Sequence, residues 1–175
     1  MMKTLMTVLA CLMALPAFAQ SGIPVLDQVP GHRVDFHYTY SLSQGGAPMR
    51  EVTRGDVVVE ENAYRMTGLD LVVVSDGTTR WSMDAGAEEV LIEKVEREDV
   101  FTNPALFIGS YRRYMDRIKV NASGTDSLDV TLSLDDETSA RFVLTGIRFS
   151  VPAGKSDFTV DVKSLPASYI VTDLR

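Results

Sequence analysis

Tyr64-Arg-Met-Thr-Gly-Leu-Asp-Leu-Val-Val-Val-Ser-Asp-Gly-Thr-Thr-Arg-Trp-Ser-Met-Asp84, followed at once by Glu88-Glu-Val-Leu-Ile-Glu93, decides the fold class. Two β-rich runs flank Asp76-Gly77, a pair that favours the tight primed turn of a hairpin. Aromatic and Met side chains stud these strands, and no catalytic cluster lies among them. A sheet with apolar residues to spare and no reactive centre predicts a protein that holds something apolar.

Working towards the N-terminus, Arg33 to Leu42 alternates cleanly. Val34, Phe36, Tyr38, Tyr40 and Leu42 share one face, while Arg33, Asp35, His37, Thr39 and Ser41 share the other. Strict period two is the pattern of a strand with one apolar and one wet face. Gln44-Gly-Gly-Ala-Pro48 breaks it as a loop. Further strands are expected over Glu51 to Glu60, Ala63 to Thr67, Leu69 to Ser75, Thr79 to Asp84 and Glu89 to Val95. Before the first strand, Ile23 to Val29 predicts a helical turn with Pro24 at its first position.

The middle of the chain changes character. Asn103-Pro104 offers a capping side chain and a Pro at the first helical position. Phe107, Tyr111, Tyr114 or Met115, and Ile118 recur at helical spacing, which predicts one amphipathic helix with Arg112, Arg113 and Asp116 outside. Strands resume with Leu128, Val130, Leu132 and Leu134. A turn at Asp135 to Thr138 leads to Arg141 to Phe149, and Val151-Pro-Ala-Gly154 turns again. Phe158, Val160 and Val162 then predict another strand, and Tyr169 to Arg175 a last one. About ten or eleven strands at roughly ten-residue spacing form a meander, hence a mainly β (α+β) barrel or sandwich.

Residues 1–19 read as a cleaved secretory signal. Lys3 precedes an apolar run from Leu5 to Leu15, and Ala17-Phe18-Ala19 supplies a small-x-small cleavage site before Gln20. The run is too short to span a bilayer of roughly 30 Å. Cys11, the single cysteine, lies inside it. Val8-Leu9-Ala10-Cys11 is also a faint lipid-attachment pattern, but Leu12 to Leu15 follow where a lipoprotein carries a polar tether. Residues 20–175 are expected to form one domain with no disulfide.

The formal net charge is −7, and loss of Lys3 takes it to about −8. Lys and Arg are scattered, which argues against nucleic acid and against docking on anionic lipid. His32 and His37, the two histidines, read as surface residues. No Gly-x-Ser-x-Gly, His-Glu-x-x-His, phosphate-binding loop or paired-Cys set is present. Asp135-Asp136-Glu137 lacks the ligand spacing and Gly of a calcium loop. No enzyme, metal or cofactor is expected.

Several segments, taken in order, resemble the LolA-type periplasmic lipoprotein carriers, particularly the branch found in Bacteroidetes. They are Gly55-Asp-Val-Val-Val-Glu60 leading into Tyr64-Arg-Met66, Ser75-Asp-Gly-Thr-Thr-Arg-Trp81, Glu88-Glu-Val-Leu-Ile92, Asn103-Pro-Ala-Leu-Phe107 and Val171-Thr-Asp-Leu-Arg175. The resemblance implies a half-open antiparallel β-barrel whose concave face is covered by a helical lid. It implies a periplasmic chaperone that takes acylated lipoproteins from an inner-membrane ABC-type exporter to an outer-membrane acceptor, acting as a monomer without a cofactor. Phe36, Tyr38, Tyr40, Met66, Trp81 and Met83 are then expected to line the cavity, with Phe107, Tyr111 and Met115 on the lid. A lipoprotein-binding sensor or a membrane-anchored acceptor on the same scaffold is the alternative, and acylation at Cys11 would mark the latter. The chain departs from the better-known carriers at its N-terminus, where they have a longer lid helix.

Overall fold

The long alternating run of Arg33–Gln44 forms the strand β1, against which everything else is laid. A computed structural model describes residues 22–95 and 100–175; the expected leader, with Cys11, lies outside the described residues. β1 pairs on one side with β2 (Arg50–Glu60), and the meander continues through β3 (Ala63–Gly68), β4 (Leu71–Ser75), β5 (Thr79–Asp84) and β6 (Glu89–Lys94). After a short helix, α1 (Pro104–Ser110), come β7 (Ile118–Ser123), β8 (Leu128–Ser133) and β9 (Thr138–Ser150). β9 returns to the free side of β1. Where β1 and β9 meet, Phe36 faces two residues of β9. Gly146 takes the bend there with φ of 63°, beside the His37 ring, which a β-carbon at this position would meet at 3.4 Å.

The result is a mainly β fold: one ten-stranded sheet in the order β10-β6-β5-β4-β3-β2-β1-β9-β8-β7, with β10 (Ile170–Asp173) and β7 as its edges. The sheet is not closed, and it is mixed, not antiparallel throughout. β10 runs parallel to β6, pairing Ile170 with Glu89 through to Asp173 with Ile92. The direction follows from the path: residues 151–169 cross one face of the sheet before the last strand is laid down.

Three expectations change at this level. Phe158, Val160 and Val162 do not lie on a strand; Lys155–Phe158 and Val162–Ser164 are 3-10 turns. Alternation shows only that three side chains fall on one side, and a turning segment achieves that as well as a strand. The long amphipathic helix ends early, because α1 passes into a 3-10 segment over Tyr111–Arg117 that is broken at Tyr114, and Ile118 opens β7. Gly109 and Ser110, both weak helix formers, sit at that change. At the N-terminus the expected turn forms as a 3-10 turn at Leu26–Gln28, beyond Pro24.

Residues paired across strands share a face. One face, called inner here, carries Val34, Phe36, Tyr38 and Tyr40 of β1 with Val57, Val59, Leu128, Val130, Leu132, Phe142 and Leu144. α1 and the N-terminal turn close over them through Phe107, Ile108, Tyr111 and Leu26. The outer face is apolar at the other end of the sheet. There Ala63, Val74, Trp81, Val90 and Ile92 lie beneath Phe158 of the C-terminal crossing segment. Each half of the sheet is thus buried chiefly on one side.

Candidate functional site

Asn103 starts the helix that sets the inner site. Its side-chain oxygen accepts from the N–H groups of Ala105 (3.0 Å) and Leu106 (3.4 Å), and Pro104 occupies the first position. The cap satisfies donors that a seven-residue helix would otherwise leave bare. Phe107 then points into the sheet, 0 % exposed, with its ring centroid 5.2 Å from that of Phe142; Phe142 in turn lies 5.2 Å from Tyr40. Tilted aromatic contacts of this kind add to the area they bury.

Of the residues expected at the site, seven share this face. Phe36, Tyr38, Tyr40, Phe107 and Tyr111 are buried, while Met66 and Met115 pack half-buried at the margin. The Tyr38 hydroxyl donates to the Thr67 carbonyl at 2.9 Å, and burial pushes its phenol above the usual tyrosine range. Tyr111 fastens the helical segment to the N-terminal turn. Its hydroxyl donates to the Asp27 carboxylate and accepts from the Ile23 N–H at 3.3 Å. Burial and the Asp27 bond raise its pKa. Arg112 donates to the same carboxylate.

Trp81 and Met83 do not join them. The register Val57–Met66–Val73–Ser82–Leu91 runs across the inner face, whereas Val58–Arg65–Val74–Trp81–Ile92 runs across the outer one. Met83 follows Trp81 outward, paired with Val72 and Val90. Both pack with Phe158 and the crossing segment. A parity difference of one residue separates Met66 from Trp81, and no property of either side chain announces it.

The inner face changes along the sheet. Under α1 it is fully buried; across β3 to β6, Met66, Leu71, Val73 and Leu91 are only half-buried. A pocket of about 190 Å³ opens there between Tyr64, Met66, Val73, Arg80, Ser82 and the Thr102-Asn103 approach to the helix. Arg80 and Glu93 form an ion pair at 2.8 Å on this same face. Sequence reasoning missed Tyr64, Val73 and the Arg80–Glu93 pair. The pair was readable in principle, since Arg80 and Glu93 each stand one residue from a buried position in alternating strands.

The described residues include no group of three or more His, Cys, Asp or Glu side chains able to hold a metal ion, and no helix long and apolar enough to cross a membrane. His37 bonds Asp56 on the exposed outer face, and His32 bonds the Gln28 carbonyl at 2.8 Å. No protein-family model and no curated protein matches the chain.

Proposed function

We propose that this protein is a periplasmic carrier of acylated lipoproteins, a non-catalytic chaperone in which the unclosed sheet is a LolA-like half-open barrel and α1 with its 3-10 extension is the lid. The observation that carries the reading is the gradient on the inner face: an aromatic floor closed by Phe107 and Tyr111, continuing into the half-buried Met66, Leu71, Val73 and Leu91. Exposure of an acyl chain to water costs about 0.8 kcal/mol per methylene, so a free triacyl anchor returns to a membrane or aggregates. A shuttle must cover such chains and still release them. A half-covered apolar surface with an adaptable Met at its margin meets both needs.

In this reading Phe36, Tyr38, Tyr40, Met66, Phe107, Tyr111 and Met115 form the chain-binding side, and Trp81 and Met83 serve the packing of the opposite face. An inner-membrane ABC-type exporter loads the carrier and an outer-membrane acceptor unloads it, so the carrier itself needs no nucleotide. The test is native mass spectrometry of the protein isolated from periplasm, with and without a co-expressed triacylated lipoprotein. A one-to-one complex lost when the client lacks its acyl chains is expected. Absence of any complex with acylated clients would remove the carrier reading.

A further inference from the structure

A second opening lies on the far side of α1 from the sheet's half-buried strands. A cleft of about 470 Å³ separates the N-terminal turn from the end of α1, a volume within the range of small-molecule sites. Its floor is apolar: Val29 and Pro30 offer open surface, over Leu26 and Ile108, which are already buried. Gly109 forms part of its wall, and Arg112 and Arg113 stand at its rim.

The cleft is lined by two acids, Asp27 and Glu61, and two arginines, Arg112 and Arg113. Asp27 is engaged by the Tyr111 hydroxyl and by Arg112, and the well-solvated Glu61 lies 4.0 Å from Lys155. Arg113 makes no ion pair among the described residues. One guanidinium at the edge of the trough is therefore without an ion-pair partner. We infer that this cleft is a binding site for a fatty acid, the alkyl chain lying along Val29, Pro30 and Gly109 and the carboxylate meeting Arg113. A single planar guanidinium matches a singly charged carboxylate, which it can engage through two parallel hydrogen bonds. A phosphate monoester carries about −1.5 to −2 at pH 7 and would leave charge unbalanced. This inference shares the α1 segment, including Tyr111, with the carrier reading but places its ligand on the side away from the half-buried strands β3 to β6.

Gly109 makes the test clean. A β-carbon built there meets nothing within 4 Å, and its φ is not in the left-handed region. Gly109→Trp should fill the trough while the helix survives. Arg113→Gln, on an exposed side chain, removes only the charge. The whole chain is titrated calorimetrically with sodium laurate, dodecyl phosphate and the uncharged dodecyl maltoside. Laurate is expected to bind one-to-one, to lose measurable binding in Gly109→Trp and to bind about tenfold more weakly in Arg113→Gln, as expected for the loss of a hydrogen bond to a charged group. Dodecyl maltoside should not bind at the same site.

The proposal is overturned if laurate fails to bind, if Gly109→Trp binds it unchanged, or if dodecyl phosphate or the maltoside binds as tightly as laurate. Should Gly109→Trp not fold, unchanged laurate binding by Arg113→Gln overturns it alone. Capture of triacylated clients by the unsubstituted protein, measured in parallel, separates failure here from failure of the carrier reading.

Discussion

Leu69 and Asp70 link β3 to β4 with φ values of 52° and 62°, the double positive that a type I′ turn demands and that Asn-Gly satisfies best. Leu69 is also 64 % exposed, so its side chain gains little there. Replacing the pair by Asn-Gly is expected to stabilise the protein by about 1 kcal/mol, read as a higher urea midpoint at unchanged slope. A lower midpoint would show that the turn is not strained. Glu60 is the converse case, a carboxylate only 5 % exposed that accepts the N–H groups of Ala153 and Gly154, each at 2.9 Å. Glu60→Gln turns one acceptor into a donor facing an N–H. It is expected to cost about 1.5–3 kcal/mol in denaturant unfolding. Sequence reading made Asp76-Gly77 the turn between β4 and β5, and the hairpin forms there. Gly77 alone takes positive φ, 88°, while the Asp76 carboxylate accepts from the Thr78 and Thr79 N–H groups at 2.7 Å. The composition of the turn was legible; its type depended on which residue the register placed at its first corner.

At the scale of elements, the segment proposed as the lid is α1 with its 3-10 extension. Its start was readable, because an Asn-Pro cap is a local device. Its end was not, because Ile118 meets the helical period as well as it meets the first position of β7. Tyr111 joins this segment to the N-terminal turn. Its hydroxyl serves Asp27 only while protonated, and burial together with that bond holds its pKa above the ordinary value of about 10. A raised folded-state pKa gives stability that is whole below the unfolded pKa and is lost as pH rises through the folded one. Stability should therefore be insensitive to this group at pH 7–9 and fall above about pH 10. Tyr111→Phe, with Tyr38 still present, should flatten part of that alkaline loss. An identical alkaline profile for the variant would show that Tyr111 takes no part in it.

Over the whole molecule, two covers hold one open sheet, and they differ in kind. The C-terminal cover, residues 151–169, has short 3-10 turns and one fully buried side chain, Phe158, which Arg33 overlies at 5.4 Å from the ring centroid. Phe158→Ala is expected to cost about 3–5 kcal/mol and to red-shift the emission of Trp81, the single tryptophan, which lies beneath this segment. Unshifted emission would mean that the cover stays closed without its anchor. Hydrogen exchange should be slowest in the long interior strands β1 and β9 and fastest in β10, a four-residue edge strand exposed along its length. Equal protection of β10 and β1 would contradict this account. By itself the sequence determined the strand positions of the meander, the alternation that gives β1 an apolar face, and the capped start of α1, because each is written within a few neighbouring residues. Only the tertiary structure decided that Met66 and Trp81 face opposite ways, that residues 151–169 cross the outer face as turns, and that the last strand joins β6 in parallel. Those outcomes depend on register and on which sheet edge lies within reach, and both are set by contacts between residues far apart in the chain.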